Sequence, residues 1–187
     1  LLLWESAHPF FDYFRTAPAA RGRHMLRNFL LGGINAVIVS IAFVGLWAMT
    51  AIWAAGNGFG LLHWLEGSVG LPSWGHAVGA VLLLDLWMYA WHRLNHSIPV
   101  LWRFHRIHHN DPRMDVTTAN RFHTGEIVLS SLLRIPVIAL LGVHLGELVL
   151  YEGLMFAVVQ FHHANVGLPG RLDRALRAIL VTPAMHK

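Results

Sequence analysis

Residues 89–110 read YAWHRLNHSIPVLWRFHRIHHN and place five histidines, His92, His96, His105, His108 and His109, within 18 residues. Directly before them runs GAVLLLDLWMYAW (79–91), hydrocarbon throughout apart from Asp85 and the polar tips of its aromatics. Metal-coordinating side chains therefore sit at the mouth of an apolar run that, taken from about Trp74, approaches the ~20 residues that cross a bilayer core. Whether that run is a membrane span or a buried core helix decides the fold.

Composition favours the membrane. Of 187 residues, 55% are hydrophobic and 13% charged, about half the charged share of a soluble domain. Mean hydropathy is +0.49. There is no cysteine, which excludes disulfides and thiolate metal sites and leaves nitrogen and oxygen as the only metal ligands. The net charge of +4 is not a nucleic-acid footprint. Thirteen of the 14 Lys and Arg fall in three blocks, Arg15 to Arg27, Arg93 to Arg121 and Arg171 to Lys187, separated by apolar runs that only Arg134 interrupts. That distribution follows the positive-inside rule, and no nucleic-acid recognition motif accompanies it.

The expected fold is all-α and integral to the membrane, with about four transmembrane helices in one domain over 1–187. An interfacial N-terminal segment (1–25) precedes the first two spans (26–91), the first over about Leu26 to Ala55 and the second over about Trp74 to Trp91. The link GNGFGLLHWLEGSVGLP reads as a surface or re-entrant connection. The histidine-rich block (92–126) holds eight charged residues and six histidines. A helical hairpin (127–163) follows, with arms IVLSSLLRIPVIALL and LGELVLYEGLMFAVVQF turning at Gly142 to Gly146. Pro136 predicts a kink, and Arg134 a snorkelling or protein-facing charge. The tail (164–187) begins a C-terminal region, reading as an amphipathic helix and a Pro-marked turn. The opening LLL run does not read as a cleavable signal peptide. A chain that starts without Met and stops at Lys187 reads as a fragment.

Four spans put all three basic blocks on one side, which the positive-inside rule makes cytoplasmic. His92 to His123, His162, His163 and His186 share that side. His63, His76 and His144 fall opposite and are expected to stay apart from them.

Within the block, Asp85, Tyr89, His92 and His96 follow i, i+4, i+7, i+11 and share one helical face. A pair at i, i+4 can point two imidazoles at one metal. His105 shares a face with His108 and with His109, while those two diverge by about 100°. Such a trio can serve two neighbouring ions. The other reading is a solvated basic helix anchored by Trp102, Phe104 and Arg106.

Further histidines recur in RFHTGE (121–126), QFHHANVGLP (160–169) and TPAMH (182–186). The ordered set resembles the fatty acid hydroxylase superfamily, which includes sterol desaturases and lipid hydroxylases. Its elements match His92-Arg93-Leu94-Asn95-His96, then Leu101-Trp102 with His105 to His109, Arg121-Phe122-His123 with Glu126, Phe161-His162-His163-Ala164-Asn165, and Thr182-Pro183-Ala184-Met185-His186. The resemblance runs from about residue 85 to the end. In the family the last element reads HxxHH, whose remaining histidines are expected just beyond Lys187.

The resemblance implies a dinuclear iron centre that uses O₂ to oxidise a lipid C–H bond by hydroxylation or desaturation. Zinc is a possible substitute in purified protein. The implied metal ligands are His92, His96, His105, His108, His109, His123, His163 and His186. His162 is either a further ligand or an interfacial side chain. Asp85, Glu126 and Asn165 are the implied partners that orient ligating imidazoles. Electrons must come from a separate reductase, cytochrome or ferredoxin, and the substrate is a bilayer lipid. Trp87, Trp91, Trp102 and Phe104 either line its access route or form an interfacial belt. A carotenoid-type hydroxylase shares this chemistry. A bis-His haem cytochrome and a metal transporter are the alternatives from other classes.

Overall fold

The computed structural model describes residues 1–14 and 17–186. Arg15 and Lys187, which bound two of the basic blocks, and Thr16 of the N-terminal segment lie outside the described residues. The helices are α1 (Leu2–Ala7), α2 (Pro18–Ala42), α3 (Val44–Gly56), α4 (Leu61–Val69) and α5 (Ser73–Ser97), then α6 (Pro99–His109), α7 (Thr124–Leu141), α8 (Leu145–His163), α9 (Gly170–Leu176) and α10 (Pro183–His186). A 3-10 turn, Val116–Asn120, links α6 to α7. Among the described residues there is no strand, only an isolated bridge between Pro9 and Val166. The all-helical expectation holds.

Several boundaries move. The first apolar run is two helices, because Phe43 leaves helical geometry at φ −125°, although its N–H still bonds Val39 and its carbonyl accepts from Trp47. α2 begins at Pro18 rather than near Leu26, proline being favoured at a first helical position. The Gly- and Trp-rich link contains a true helix, α4. α7 runs through Pro136 without a break. Pro183 opens α10 instead of marking a turn. Two helices, Pro18–Ala42 and Thr124–Leu141, are long and apolar enough to cross a membrane.

The chain forms two compact units: Leu1–Ile34, Arg106–His123 and Phe156–Lys187 make one, and Asn35–His105 with Thr124–Met155 the other. In the second unit α3, α4 and α5 each pack on α7, and α4 packs on α5. α5 buries His76, Ala80, Leu84, Trp91 and Asn95 and leaves Val78, Leu82, Leu86 and Tyr89 exposed. An exposed apolar stripe along a helix of 25 residues is what lipid would cover. The core joins Phe43, Trp47 and Ala51 to Leu62, Ala80, Leu84, Ile138, Val143, Leu148 and Tyr151. Its polar tips are satisfied: Trp47 Nε1 donates to the Ser131 carbonyl at 3.0 Å and the Tyr151 hydroxyl to the Leu84 carbonyl at 3.2 Å. Arg134 faces the protein. It is buried, pairs with Glu152, and lies 4.9 Å over the Trp47 ring, two contacts that offset the cost of a cation among apolar helices.

The turn between α7 and α8 depends on Gly142, which sits at φ +73°. A Cβ there would lie 2.7 Å from the Phe59 carbonyl and 2.9 Å from His63 Cδ2. A Cβ on Gly60 would in turn lie 2.4 Å from the Gly142 nitrogen. The two glycines thus bring the end of the α3–α4 link against the α7–α8 turn.

In the first unit a polar knot sets the segment after α6. Asp111 accepts from His24 at 2.8 Å, from the Thr118 hydroxyl at 2.7 Å and from the Arg113 N–H at 3.1 Å. Asp115 caps the 3-10 turn through Thr117 N–H, and Thr118 returns a bond to the Asp115 N–H. Arg121 Nε donates to the Ile107 carbonyl at 3.0 Å and closes the C-terminus of α6. Buried Glu5 accepts from Arg21 and from the backbone N–H groups of Val116 and Asn165.

Two stability predictions follow from these contacts. Gly142→Ala forces a left-handed side chain and a clash, costing about 1–2 kcal/mol in strain alone. Gly146→Ala, a helical site open to added bulk, is neutral or stabilising by up to ~1 kcal/mol. Thermal unfolding in detergent distinguishes the pair. For Asp111, burial raises the carboxyl pKa, but the bonds from His24, Thr118 and Arg113 outweigh it and hold it well below the ordinary range. Its contribution is therefore complete above the unfolded value of ~3.9 and lost as pH falls through the folded one. Asp111→Asn should cost about 1–3 kcal/mol at neutral pH, with the gap to wild type closing under acid in denaturant titrations.

Candidate metal centre

Pro99 makes the first cluster. The residue before a proline is pushed out of helical geometry, and Ile98 accordingly sits at φ −97°, ψ 118°. That one extended residue turns the chain from α5 into α6. His92 and His96 on the last turns of α5 then meet His105 on α6, with ring centroids 4.8 and 4.9 Å from His105. The ligand atoms of the three lie within 4.8 Å of one another, and His92 Nε2 is 3.2 Å from His96 Nε2. His105 is fully buried, and its Nδ1 lies 2.8 Å from Glu126 Oε1 on the first turn of α7. A carboxylate on Nδ1 keeps the proton there and leaves Nε2 with its lone pair. Trp102 lies against this cluster, 5.3 Å from the His96 ring.

The second cluster lies in the first unit and joins three elements distant in sequence. His108 comes from α6, His163 from the end of α8, and His186 from α10, with ligand atoms within 4.8 Å of one another. His163 Nε2 is 2.8 Å from His108 Nε2 and 3.0 Å from His186 Nε2. His163 Nδ1 is 2.7 Å from the Val159 carbonyl, so it carries the proton and Nε2 is a bare acceptor. Two imidazole nitrogens crowd that single lone pair, an arrangement a cation relieves. Phe122 stacks on His108 at 4.3 Å and 9°. A donor set of imidazoles, with His105 and His163 held through their Nδ1 atoms, fits a first-row transition metal.

The other expected residues are His109, His162, His123, Asn165 and Asp85. His109 ends α6 with its ring 5.1 Å from His108 and 6.3 Å from His186. The His162 ring is 4.5 Å from His163 and 4.4 Å from His186. His123 is half-buried directly before α7 and in none of the ligand clusters found among the described residues. Asn165 gives both carboxamide atoms to Phe11, accepting from its N–H at 3.0 Å and donating to its carbonyl at 2.8 Å. It fastens the N-terminal segment to the loop after α8. The orienting role expected of Asp85 is corrected: the side chain is exposed and has no hydrogen bond among the described residues. Seven residues of helix put it about 10.5 Å along the axis from His92, beyond carboxylate reach.

The sequence reading missed one grouping. His63, His76 and His144, expected to lie opposite the other histidines, form a third cluster in the second unit, again with ligand atoms within 4.8 Å. The available signal was a repeated spacing, His63 with Glu66 and His144 with Glu147, in a chain holding only ten carboxylates.

Comparison with known proteins agrees with the family resemblance. The ornithine lipid hydroxylase OlsE of Rhizobium tropici is 33% identical over 108 residues, covering 57% of this chain and 31% of that protein. Mouse cholesterol 25-hydroxylase is 37% identical over 60 residues, 27% of this chain and 20% of its own length. The human cholesterol 25-hydroxylase is 28% identical over 93 residues, 45% and 34% respectively. The matched region thus spans about a third or less of each relative. No solved structure matches the chain. The sequence model of the family described as fatty acid hydroxylase matches residues 77–187, which hold both clusters just built, and on that match the chain belongs to the fatty acid hydroxylase family.

Proposed function

We propose that the protein catalyses O₂-dependent oxidation of a lipid C–H bond at two histidine-held iron ions, one served by His92, His96 and His105 and the other by His108, His163 and His186. The observation that carries this reading is the fixed tautomer in each cluster. Glu126 and the Val159 carbonyl each hold an Nδ1 proton, so that Nε2 of His105 and of His163 faces its neighbours as a lone pair. His109, His123 and His162 are the proposed further ligands. Bound iron supplies the O₂ activation and oxidising power that an alkyl C–H bond demands and side chains lack.

The chain's own residues bind, orient and exclude. Glu126 sets the His105 ring. Phe122 covers one face of His108 and keeps water from it. Trp102, exposed beside His96 and His105, gives an apolar surface over which a lipid chain reaches the first cluster. Lipid hydroxylation also agrees with relatives named for ornithine lipid and cholesterol. Four spans with the clusters on the cytoplasmic side, and an external electron donor, complete the proposal. Helices α5 and α8, of 25 and 19 residues, are the two spans added to the apolar pair.

Three measurements test this. Purified protein should carry about two irons per chain with no Soret band, and a Soret band would sink the reading. Lipids from a host expressing the protein should gain one oxygen or lose two hydrogens, and His163→Ala should abolish the change. Glu126→Gln, which keeps size but loses the charge on His105 Nδ1, should weaken iron retention about 10–100-fold in chelator competition.

A further inference from the structure

Two of the three histidines in the third cluster, His63 and His76, precede the family-matched region, which begins at residue 77. The cluster is therefore separate from the shared motifs, and its geometry is that of a built site. His63 stands on the first turn of α4, His76 on the first turn of α5, and His144 directly before α8. Ring centroids are 5.1 Å for His63 and His76, 4.9 Å for His63 and His144, and 4.3 Å for His76 and His144.

Each Nδ1 already has a carboxylate. His63 Nδ1 is 3.0 Å from Glu66 Oε2, His76 Nδ1 is 2.8 Å from Glu147 Oε1, and His144 Nδ1 is 3.3 Å from the same oxygen. The Glu147 Oε2 atom is fixed in turn by the His144 N–H at 2.9 Å. With the protons held on Nδ1 of His63 and His76, their Nε2 atoms carry lone pairs that face the His144 ring. His76 is wholly buried, and its Nε2, like that of His63, is buried with no hydrogen-bond partner among the described residues. A buried acceptor without a partner is costly, and two beside a third imidazole make the same demand. Their ligand atoms lie within 4.8 Å of one another, and tetrahedral coordination at ~2.0–2.1 Å needs about 3.3 Å between nitrogens. Small ring rotations close that difference.

We propose that His63, His76 and His144 bind one divalent transition metal of the zinc class, with Glu66 and Glu147 orienting the ligands. Three imidazoles with carboxylates one bond further out suit a borderline-soft cation. Calcium or magnesium would take the carboxylate oxygens directly. The His144 side chain is 42% exposed, which leaves a route for the ion and a fourth position for water. The site joins α4, the start of α5 and the α7–α8 turn, where Gly142 permits the approach to His63. A metal here acts as a clasp on that end of the second unit.

The probe is zinc, with cobalt as its coloured substitute, titrated into detergent-purified protein after chelator treatment. Metal content per chain is compared among wild type, His76→Gln, His144→Gln, Glu147→Gln and the exposed control His8→Gln. Wild type and His8→Gln should bind one zinc equivalent more than the two ligand variants, and the cobalt-loaded ligand variants should lose the corresponding tetrahedral visible bands. Glu147→Gln should keep the equivalent at about 10–100-fold weaker affinity. Zinc should raise the unfolding temperature of wild type more than that of His144→Gln. Because His144 is partly exposed, its variant keeps the test decisive if His76→Gln does not fold. Equal zinc stoichiometry and unchanged cobalt spectra across all variants would overturn the proposal, marking the cluster as a hydrogen-bonded histidine–carboxylate network only. The comparison reads zinc lost from this site alone, so it stands whether or not the iron reading holds.

Discussion

An imidazole offers a lone pair at one nitrogen only while the other holds the proton, and this chain is organised around that constraint. Glu126 holds the proton of His105, the Val159 carbonyl that of His163, Glu66 that of His63 and Glu147 that of His76. Each such pair orients a ring and defines which nitrogen converges with its neighbours. The helices deliver these pairs at particular turns. Glu126 must sit on the first turn of α7 for His105, and the carbonyl four residues before His163 serves because a helix's last turn places it there. Displacing a helix by one residue would rotate its side chains about 100° and break the pairing.

Much of this was legible because apolar runs and histidine spacings are local properties. The span-like runs, the HRLNH and HRIHH spacings and Glu126 beside RFH all lie in short segments, and helical geometry turns such spacing into a shared face. The corner at Pro99 was equally present in the sequence, since proline constrains the residue before it whatever the surroundings. The partition of the histidines was not legible. His105 and His108 share a face of α6, yet the first meets His92 and His96 while the second meets His163 and His186. That division is set by where α5, α8 and α10 bring their ends, which no spacing within α6 encodes.

Asp85 shows how sequence reasoning overreached. It stands near a ligating histidine in the chain, but proximity along a helix is not reach, and it is two turns from His92. Asn165 also hydrogen-bonds a backbone at the other end of the sequence. The third cluster failed in the opposite direction. Its members were expected only to lie opposite the other histidines, being separated by 13 and 68 residues, and the close approach of Gly60 and Gly142 helps bring the α4 and α8 starts together. Two glycines that read as link and turn are structural requirements of a side-chain cluster.

The carboxylates make the same point by their scarcity. An acidic group among apolar helices is costly unless something pairs with it, so each of the ten in this chain needs a reason. Four of them, Glu66, Asp111, Glu126 and Glu147, lie within 3.0 Å of an imidazole nitrogen, and Glu152 pairs with the buried Arg134. Their placement is thus tied to the histidines rather than to solubility. In a chain of this composition a carboxylate three residues after a histidine is a sharper signal than the histidine itself. A lone imidazole can stay neutral at little cost, whereas the carboxylate beside it is there to hold a proton in place.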